Sequence, residues 1–282
     1  MKEIAPDILI ETEYEGVTLG AIRSDAGVVM VDVPINPKDT LAWRATCSRS
    51  AGGSDRLLVL LDEHPDRLAG ASGVKCPIIV SDRTAQALTY RPSGAKPLSP
   101  QPTQDWEEIP EPVNTRGIHP ELTFTSSMAI NWGEDSILLE HHPGPSKGST
   151  WLIVPEKQVA FLGDTVTPGQ APFLANAEID AWLESLHELQ LARFKDFILI
   201  SGRGEMATID DVRELERFLK KAARELEKMT PSDTHSDEIE KIAAELADEF
   251  KTRSKRETEQ IKSKLAAGIV QYIANRPSKK TE

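Results

Sequence analysis

The sequence predicts an α+β protein in which two series of β-strands form a sandwich with helices on its outside. Short runs rich in β-branched residues, bounded by turn residues, fall into two groups along the chain. A stretch with the apolar spacing of a helix closes each group. Residues 231–282 contain no strand-like run, so we expect them to form a helical extension behind a sandwich domain at 1–230.

The first series combines short strands with two strands that are apolar throughout. Turn residues around Gly16 and Gly27 separate the first three strands. The continuous apolar runs are typical of strands that are buried on both faces. In chain order we predict strands at 7–12, 17–24, 27–33, 56–62 and 77–80, and helices at 40–45 and 82–88.

The second series follows a segment at 90–120 whose proline, serine and glutamine content is typical of a surface connection. We predict strands at 122–130, 136–140, 150–154, 158–162 and 197–200, and helices at 179–191 and 209–229. Apolar positions then recur every three to four residues from Ile239 to Ile273. This spacing predicts two further helices, which pack either on the body or on a second subunit as a homodimer.

Composition and charge limit the classes of function. The chain has 282 residues and a net charge of -12, and an acidic surface repels phosphate backbones, so bulk nucleic-acid binding is not expected. Cys47 and Cys76 lack the spacing of a disulfide framework or a zinc finger. The N-terminus is too charged for a signal peptide, and no apolar run is long enough to span a membrane. We therefore expect a cytoplasmic protein without a membrane partner.

Five segments at the ends of predicted strands carry residues typical of one known family, in the order that this family has them. They lie at 28–32, 60–70, 141–149, 161–164 and 201–204. Together they resemble the metallo-β-lactamase superfamily over roughly residues 1–230. The resemblance implies a four-layer αββα sandwich of that type, followed by the C-terminal helical extension.

The resemblance also places the family's metal site on this sequence. The segment Asp62-Glu-His-Pro-Asp-Arg67 is similar to the family's H-x-H-x-D-H loop. Asp164 corresponds to the aspartate shared by two metal ions, which activate a hydroxide for hydrolysis. Pro145 and Arg203 stand where the family has two further histidines. An arginine offers no lone pair to a metal, so the resemblance implies that the second metal is lost.

The first metal position keeps more of its ligand types. Asp62, His64 and Asp164 could hold a single divalent ion, zinc or manganese, with water as the fourth ligand. The alternative is that no metal binds and that His64 only hydrogen-bonds the two aspartates. His141 and His142 precede the lost ligand at 145 and could also reach this position.

At the second metal position, charge compensation without metal is the leading hypothesis. Arg67 and Arg203 would neutralise Asp66 and Asp164 through bidentate hydrogen bonds. Together with Lys147 the two arginines could instead line a pocket for an anionic or other small-molecule ligand. Internal salt bridges for the arginines, with Lys147 in solvent, are the alternative to that pocket.

Three functions from different classes follow. The first is a non-catalytic binding or assembly module on the inherited scaffold. The second is a single-metal hydrolase of an ester, lactone, thioester or phosphoester, with His64, Asp66 and Asp164 as catalytic candidates. The third is a metal-free anion-binding protein. The letters G-x-S-x-G at 144–148 do not indicate a serine hydrolase, because a predicted strand follows them where a nucleophile elbow requires a helix.

Overall fold

Two β-sheets lie face to face at the centre of the protein, and helices cover their outer faces. The computed structural model describes residues 1–14, 16–64, 67–68, 70–89, 118–204, 206–230 and 237–276. Three apolar layers fill the spaces between these elements. The arrangement is the four-layer αββα sandwich expected from the sequence, with helices at the C-terminus.

The first sheet has seven strands, and their spatial order follows the chain. The first four strands are antiparallel neighbours, whereas β4, β5, β6 and β7 run parallel to one another. Its strands are β1 (Lys2–Ala5), β2 (Ile8–Glu11), β3 (Leu19–Arg23), β4 (Gly27–Val31), β5 (Asp55–Val59), β6 (Ile78–Ser81) and β7 (Leu122–Phe124).

The second sheet has five strands in the order β12-β11-β10-β9-β8. Its neighbours are antiparallel except β11 and β12, which are parallel. Its strands are β8 (Ser127–Trp132), β9 (Asp135–His141), β10 (Thr150–Val154), β11 (Val159–Gly163) and β12 (Ile198–Ser201). Parallel pairs in both sheets bring the carboxyl ends of their strands to a common edge.

Helices close both outer faces. Their starts carry capping side chains: Asn36 accepts from the backbone of Lys38, and Thr208 forms a reciprocal capping box with Asp211. The helices are α1 (Pro37–Ser50), α2 (Asp82–Thr89), α3 (Ile179–Glu188), α4 (Ile209–Glu227), α5 (Asp237–Ala247) and α6 (Lys255–Asn275). In the part of the chain that the structure describes, no helix is both long and apolar enough to cross a membrane.

The two helices after residue 236 pack on the body of the protein. Leu246 and Leu265 are fully buried in the same apolar layer as Trp151 of β10 and Phe218 of α4. The Asn275 side chain donates to the carbonyl of Ala175 at 3.2 Å. These helices therefore pack against α4 and against the loop at 174–175, which is one of the two packings expected from their apolar spacing. A homodimer through the same helices stays a prediction.

Two strand predictions differ from the structure. The single strand predicted at 122–130 is divided into β7 and β8, which belong to different sheets. Thr125 and Ser126 carry the chain across, and neither glycine nor proline marks this crossover in the sequence. Strand β1 was not predicted, because an edge strand with exposed, charged residues lacks the apolar pattern of a buried strand.

Candidate functional site

Four strand ends from the two sheets meet at one edge of the sandwich and bring charged side chains together there. Asp32 directly follows β4, and Asp62 follows β5 after two further apolar residues. Asp164 directly follows β11, and Arg203 follows β12. Arg67 comes from the loop after β5 and completes what we call the arginine–aspartate cluster: Asp32, Asp62, Arg67, Asp164 and Arg203.

Arg67 lies at the centre of this cluster and is fully buried. Its Nε donates to Asp62 Oδ2 at 3.1 Å, and its Nη1 donates to Asp32 Oδ2 at 2.6 Å. Its Nη2 donates to Asp164 Oδ1. Each of the three guanidinium nitrogens therefore bonds a different carboxylate, and the planar fork of arginine fixes the directions of these three bonds.

Arg203 holds Asp164 from the opposite side. Its Nε donates to both carboxylate oxygens of Asp164 at 2.9 Å, and its Nη2 donates to Oδ2 at 2.7 Å. Its Nη1 donates to the backbone carbonyl of Gly16 at 2.9 Å, which ties the loop before β3 to the cluster. Asp164 is thus held between two guanidinium groups.

Backbone amides donate hydrogen bonds to the carboxylate oxygens of Asp32 and Asp62 that accept none from an arginine. The amide of Leu61 donates to Asp32 Oδ1 at 3.0 Å, and the amide of His64 donates to Asp62 Oδ1 at 2.9 Å. All six oxygens of Asp32, Asp62 and Asp164 therefore accept from donors of the protein itself. Charge-assisted bonds of this kind are among the stronger hydrogen bonds in proteins.

Burial changes the titration of Asp32. Desolvation raises the pKa of this carboxyl to about 6, while the Arg67 guanidinium opposes the rise and the charge of Asp62 adds to it. Asp32 also adopts a left-handed backbone conformation with φ of 55°. Non-glycine residues rarely take this conformation, so the tertiary contacts of the cluster hold it in place.

Sequence reasoning missed two contributors to the cluster. Asp32 ends the family-like segment at 28–32, but the sequence does not identify it as a partner of Arg67. Gly202 was noticed as part of the 201–204 segment, but its role depends on packing: a Cβ there would overlap Arg67 Nη2 and lie 2.9 Å from Asp164 Oδ1. Two features of the sequence could have indicated these contributions: an aspartate at the end of a strand, and a glycine directly before Arg203.

The other predicted site residues are placed as follows. Asp66 lies outside the described residues, so its pairing with the arginines stays a prediction. His64 is half-buried beside the cluster. Lys147 is exposed, while the guanidinium groups of Arg67 and Arg203 face carboxylates. A shared anion pocket of these three residues stays a prediction as well.

Glu63 connects the loop after β5 to the segment 143–149. Its Oε2 accepts from the Ser146 hydroxyl at 2.9 Å and from the amide of Gly148 at 3.1 Å. Burial raises the pKa of this carboxyl, and the neighbouring charge of Asp62 adds to the rise. The family-like segment at 141–149 is therefore anchored by hydrogen bonds to a carboxylate. Nothing in the sequence pattern singled out Glu63.

The side chains of His141 and His142 contact residues outside the arginine–aspartate cluster. His141 Nε2 lies 2.7 Å from the carbonyl of Lys147. His142 Nε2 lies 3.3 Å from Glu140 Oε2, and its Nδ1 lies 3.9 Å from Glu188 Oε2. Among the described residues, Glu140, His142 and Glu188 form a triad whose ligand atoms lie within 4.8 Å of one another and could hold a metal ion.

As they stand, the residues of the arginine–aspartate cluster do not fit a divalent metal ion. The guanidinium of Arg67 lies between Asp62 and Asp164, two of the ligands that the resemblance assigns to the first metal. A metal bound by these two carboxylates would need oxygens that already accept hydrogen bonds from Arg67, Arg203 or a backbone amide, and it would be repelled by the adjacent positive charge.

Comparisons with known proteins find similarity at the level of structure. No family model matches the sequence, and no curated protein matches it. A metallo-β-lactamase from Pontibacter korlensis is similar in structure, with a TM-score of 0.64 and 16% sequence identity. The match covers 78% of this chain and 97% of the chain of that enzyme. The DIM-1 metallo-β-lactamase is similar to 78% over 96% of its own, with a TM-score of 0.60 and 16% identity. A metallo-β-lactamase from Hirschia baltica is similar to 77% over 96% of its own, with a TM-score of 0.60 and 14% identity.

Proposed function

Because this chain has the metallo-β-lactamase fold, we propose that it is a non-catalytic binding or assembly module in which an arginine takes the place of the metal centre. The observation that carries the proposal is the buried guanidinium of Arg67, which donates to Asp32, Asp62 and Asp164. These aspartates follow strand ends from both sheets, so the cluster joins the two halves of the sandwich.

Electrostatics supports this role. Three carboxylates brought together at low dielectric repel one another strongly unless a cation lies between them. Arg67 supplies that cation with a fixed, planar set of donors, and Arg203 supplies a second positive charge on Asp164. The arginines thus do for the scaffold what metal ions do in the family that the sequence resembles.

Chemistry supports the non-catalytic part. Hydrolysis in the family depends on a Lewis acid with an open coordination position, which lowers the pKa of a bound water. A guanidinium has no such position, and its three nitrogens are already bonded to carboxylates. The alternative, a hydrolase with zinc or manganese at Asp62, His64 and Asp164, requires Arg67 to leave two of those side chains.

Metal content and hydrolysis together test the proposal. The purified protein is loaded with zinc or manganese, and bound metal is counted by elemental mass spectrometry in wild type, Asp62→Asn and His64→Gln. Ester, thioester, lactone and phosphodiester hydrolysis is assayed on the same samples. We expect metal content to be the same in all three proteins and no hydrolysis that depends on Asp62. About one ion per chain that is lost in both variants, together with a metal-dependent activity, would overturn the proposal.

A further inference from the structure

We propose that Glu140, His142 and Glu188 form a surface site for a divalent transition metal, with zinc as the best-fitting ion. Glu140 lies in β9, His142 directly follows that strand, and Glu188 is the last residue of α3. One ligand atom from each residue lies within 4.8 Å of the others. The site is separate from the arginine–aspartate cluster and does not rest on the proposed function.

The distances are close to those of a metal site. Zinc bonds of about 2.0–2.2 Å place neighbouring ligand atoms about 3.3–3.6 Å apart in a tetrahedron. His142 Nε2 and Glu140 Oε2 are already 3.3 Å apart. Glu188 Oε2 lies 3.9 Å from the other ring nitrogen of His142, so this carboxylate reaches the ion by a side-chain movement. Three protein ligands leave a fourth position for water.

The imidazole is held in place by a contact outside the triad. The His142 ring stacks on Trp151 with centroids 3.6 Å apart and an interplanar angle of 15°. Trp151 is itself fully buried, and its Nε1 donates to the Thr165 hydroxyl at 2.9 Å. A ligand whose rotamer is already fixed loses little conformational entropy when a metal binds, so the stack preorganises His142 as a ligand.

The charge of the group favours one further cation. Arg193 bonds both oxygens of Glu140, at 2.6 and 3.0 Å, and Glu188 Oε1 at 2.9 Å. With a neutral imidazole, two carboxylates and one guanidinium leave a net negative charge.

Arg193 sets the affinity of the site. It competes with the metal for both carboxylates, but its side chain is 40% exposed and can withdraw into solvent. The triad is also open to ions, since the side chains of His142, Glu140 and Glu188 are 13%, 20% and 33% exposed. One imidazole and two carboxylates suit zinc, whereas calcium and magnesium prefer ligand sets made only of oxygen.

Zinc titration of the full chain tests the site by isothermal titration calorimetry near neutral pH. We expect one zinc per chain in wild type. His142→Phe keeps a ring on Trp151 but removes the nitrogens, and it should weaken binding about tenfold or more. Glu188→Gln is a second variant with the same expected direction. Arg193→Gln should tighten binding severalfold, because the competing cation is gone.

Two histidine variants are matched controls. His187→Gln removes an exposed imidazole from the same helix, and His64→Gln removes the histidine beside the arginine–aspartate cluster. Both should bind zinc as wild type does. Cobalt absorption provides a second readout, since a tetrahedral site gives a d–d spectrum that His142→Phe should abolish.

The outcomes separate the two proposals. Zinc binding that survives both His142→Phe and Glu188→Gln, or an absence of binding up to about 100 µM zinc, would overturn this site. Zinc binding lost in His64→Gln but kept in His142→Phe would overturn it as well and would also contradict the proposed function. Binding lost only in the triad variants supports the site and leaves the arginine–aspartate cluster as described.

Discussion

A single buried side chain, Arg67, compensates three carboxylates in this protein. Removing one partner of a buried ionic group costs more than the group contributes net, because the remaining charges stay buried without a counterion. Arg67 is fully buried and Asp164 is only 14% exposed, so solvent cannot replace the lost guanidinium. The stability of the fold is therefore expected to depend strongly on this residue.

The Arg67→Met variant is expected to lose about 3–5 kcal/mol of unfolding free energy, since it leaves the buried carboxylates of Asp32 and Asp62 without a counterion and leaves Asp164 with Arg203 alone. Urea unfolding measures the loss. Arg217→Met on α4 is the control, because Arg217 is 74% exposed and its ion pair with Glu214 is long at 3.9 Å. Equal stability of Arg67→Met and wild type would show that Arg67 does not compensate the aspartates.

The titration of Asp32 gives a pH dependence with a defined sign. Its pKa is raised from 3.8 to about 6 in the folded state, so the native protein binds more protons than the unfolded chain between these values. The contribution of Asp32 to stability is complete below 3.8 and is lost as the pH rises through about 6. The pKa of Glu140 is lowered in the folded state, so its contribution to stability is lost as the pH falls below 4.5 towards about 2, outside the pH range in which Asp32 titrates.

Comparison of wild type with Asp32→Asn isolates this contribution. Unfolding free energies measured from pH 4 to pH 7 should fall more steeply with rising pH in wild type than in the variant, which cannot titrate at this position. Parallel curves for the two proteins would mean that the pKa of Asp32 is not raised by its burial.

At the scale of elements, the site is made by strand ends, and this part was predictable from the sequence. Charged residues directly after apolar runs, at 62–67, 164 and 203, were assigned to one edge on the basis of the resemblance. Their partners were predictable only in part. Arg67 was expected to pair with Asp66 and Asp164, whereas the described contacts join it to Asp32, Asp62 and Asp164. Such pairing depends on how the two sheets stack, and no local pattern encodes it.

The crossover between β7 and β8 illustrates the same limit. Neither glycine nor proline interrupts the residues from 122 to 130, so the sequence pattern predicts one strand there. The change of sheet follows from the tertiary structure, in which β7 pairs with β6 and β8 pairs with β9. An alternating pattern of apolar and polar residues identifies a strand, but it does not predict the sheet in which that strand pairs.

The close packing of Gly202 in the loop after β12 allows a stability prediction. Gly202→Ala is expected to destabilise the protein by about 1–3 kcal/mol, because the added methyl group overlaps the Arg67–Asp164 pair. Gly73→Ala is the control, since a Cβ there would lie no closer than 3.3 Å to other atoms. Thermal unfolding of both variants measures this effect. If Gly202→Ala were as stable as wild type, a methyl group would fit beside Arg67 and Asp164, which contradicts the close packing of Gly202.

For the whole molecule, the C-terminal helices belong to the packing of the body. Leu265 is fully buried in the apolar layer that also contains residues of α3, α4 and the second sheet. Their apolar spacing was visible in the sequence, but the surface that they cover was not, because a helix face alone does not identify its partner. The boundary at 230 stays a prediction.

Leu265→Ala is expected to cost about 2–5 kcal/mol of unfolding free energy through the cavity that it leaves. The urea midpoint of wild type should not change with protein concentration, since the helices pack within one chain. A midpoint that rises with protein concentration would instead indicate that these helices are stabilised by a second subunit.

The replacement of the metal by Arg67 is tested most directly by a crystal structure from crystals grown with excess zinc, with anomalous data collected on both sides of the zinc absorption edge. We expect no anomalous peak between Asp62, His64 and Asp164, and we expect density for the Arg67 guanidinium in contact with Asp32, Asp62 and Asp164. A zinc peak among Asp62, His64 and Asp164, with Arg67 turned away from them, would contradict the claim that an arginine has replaced the metal.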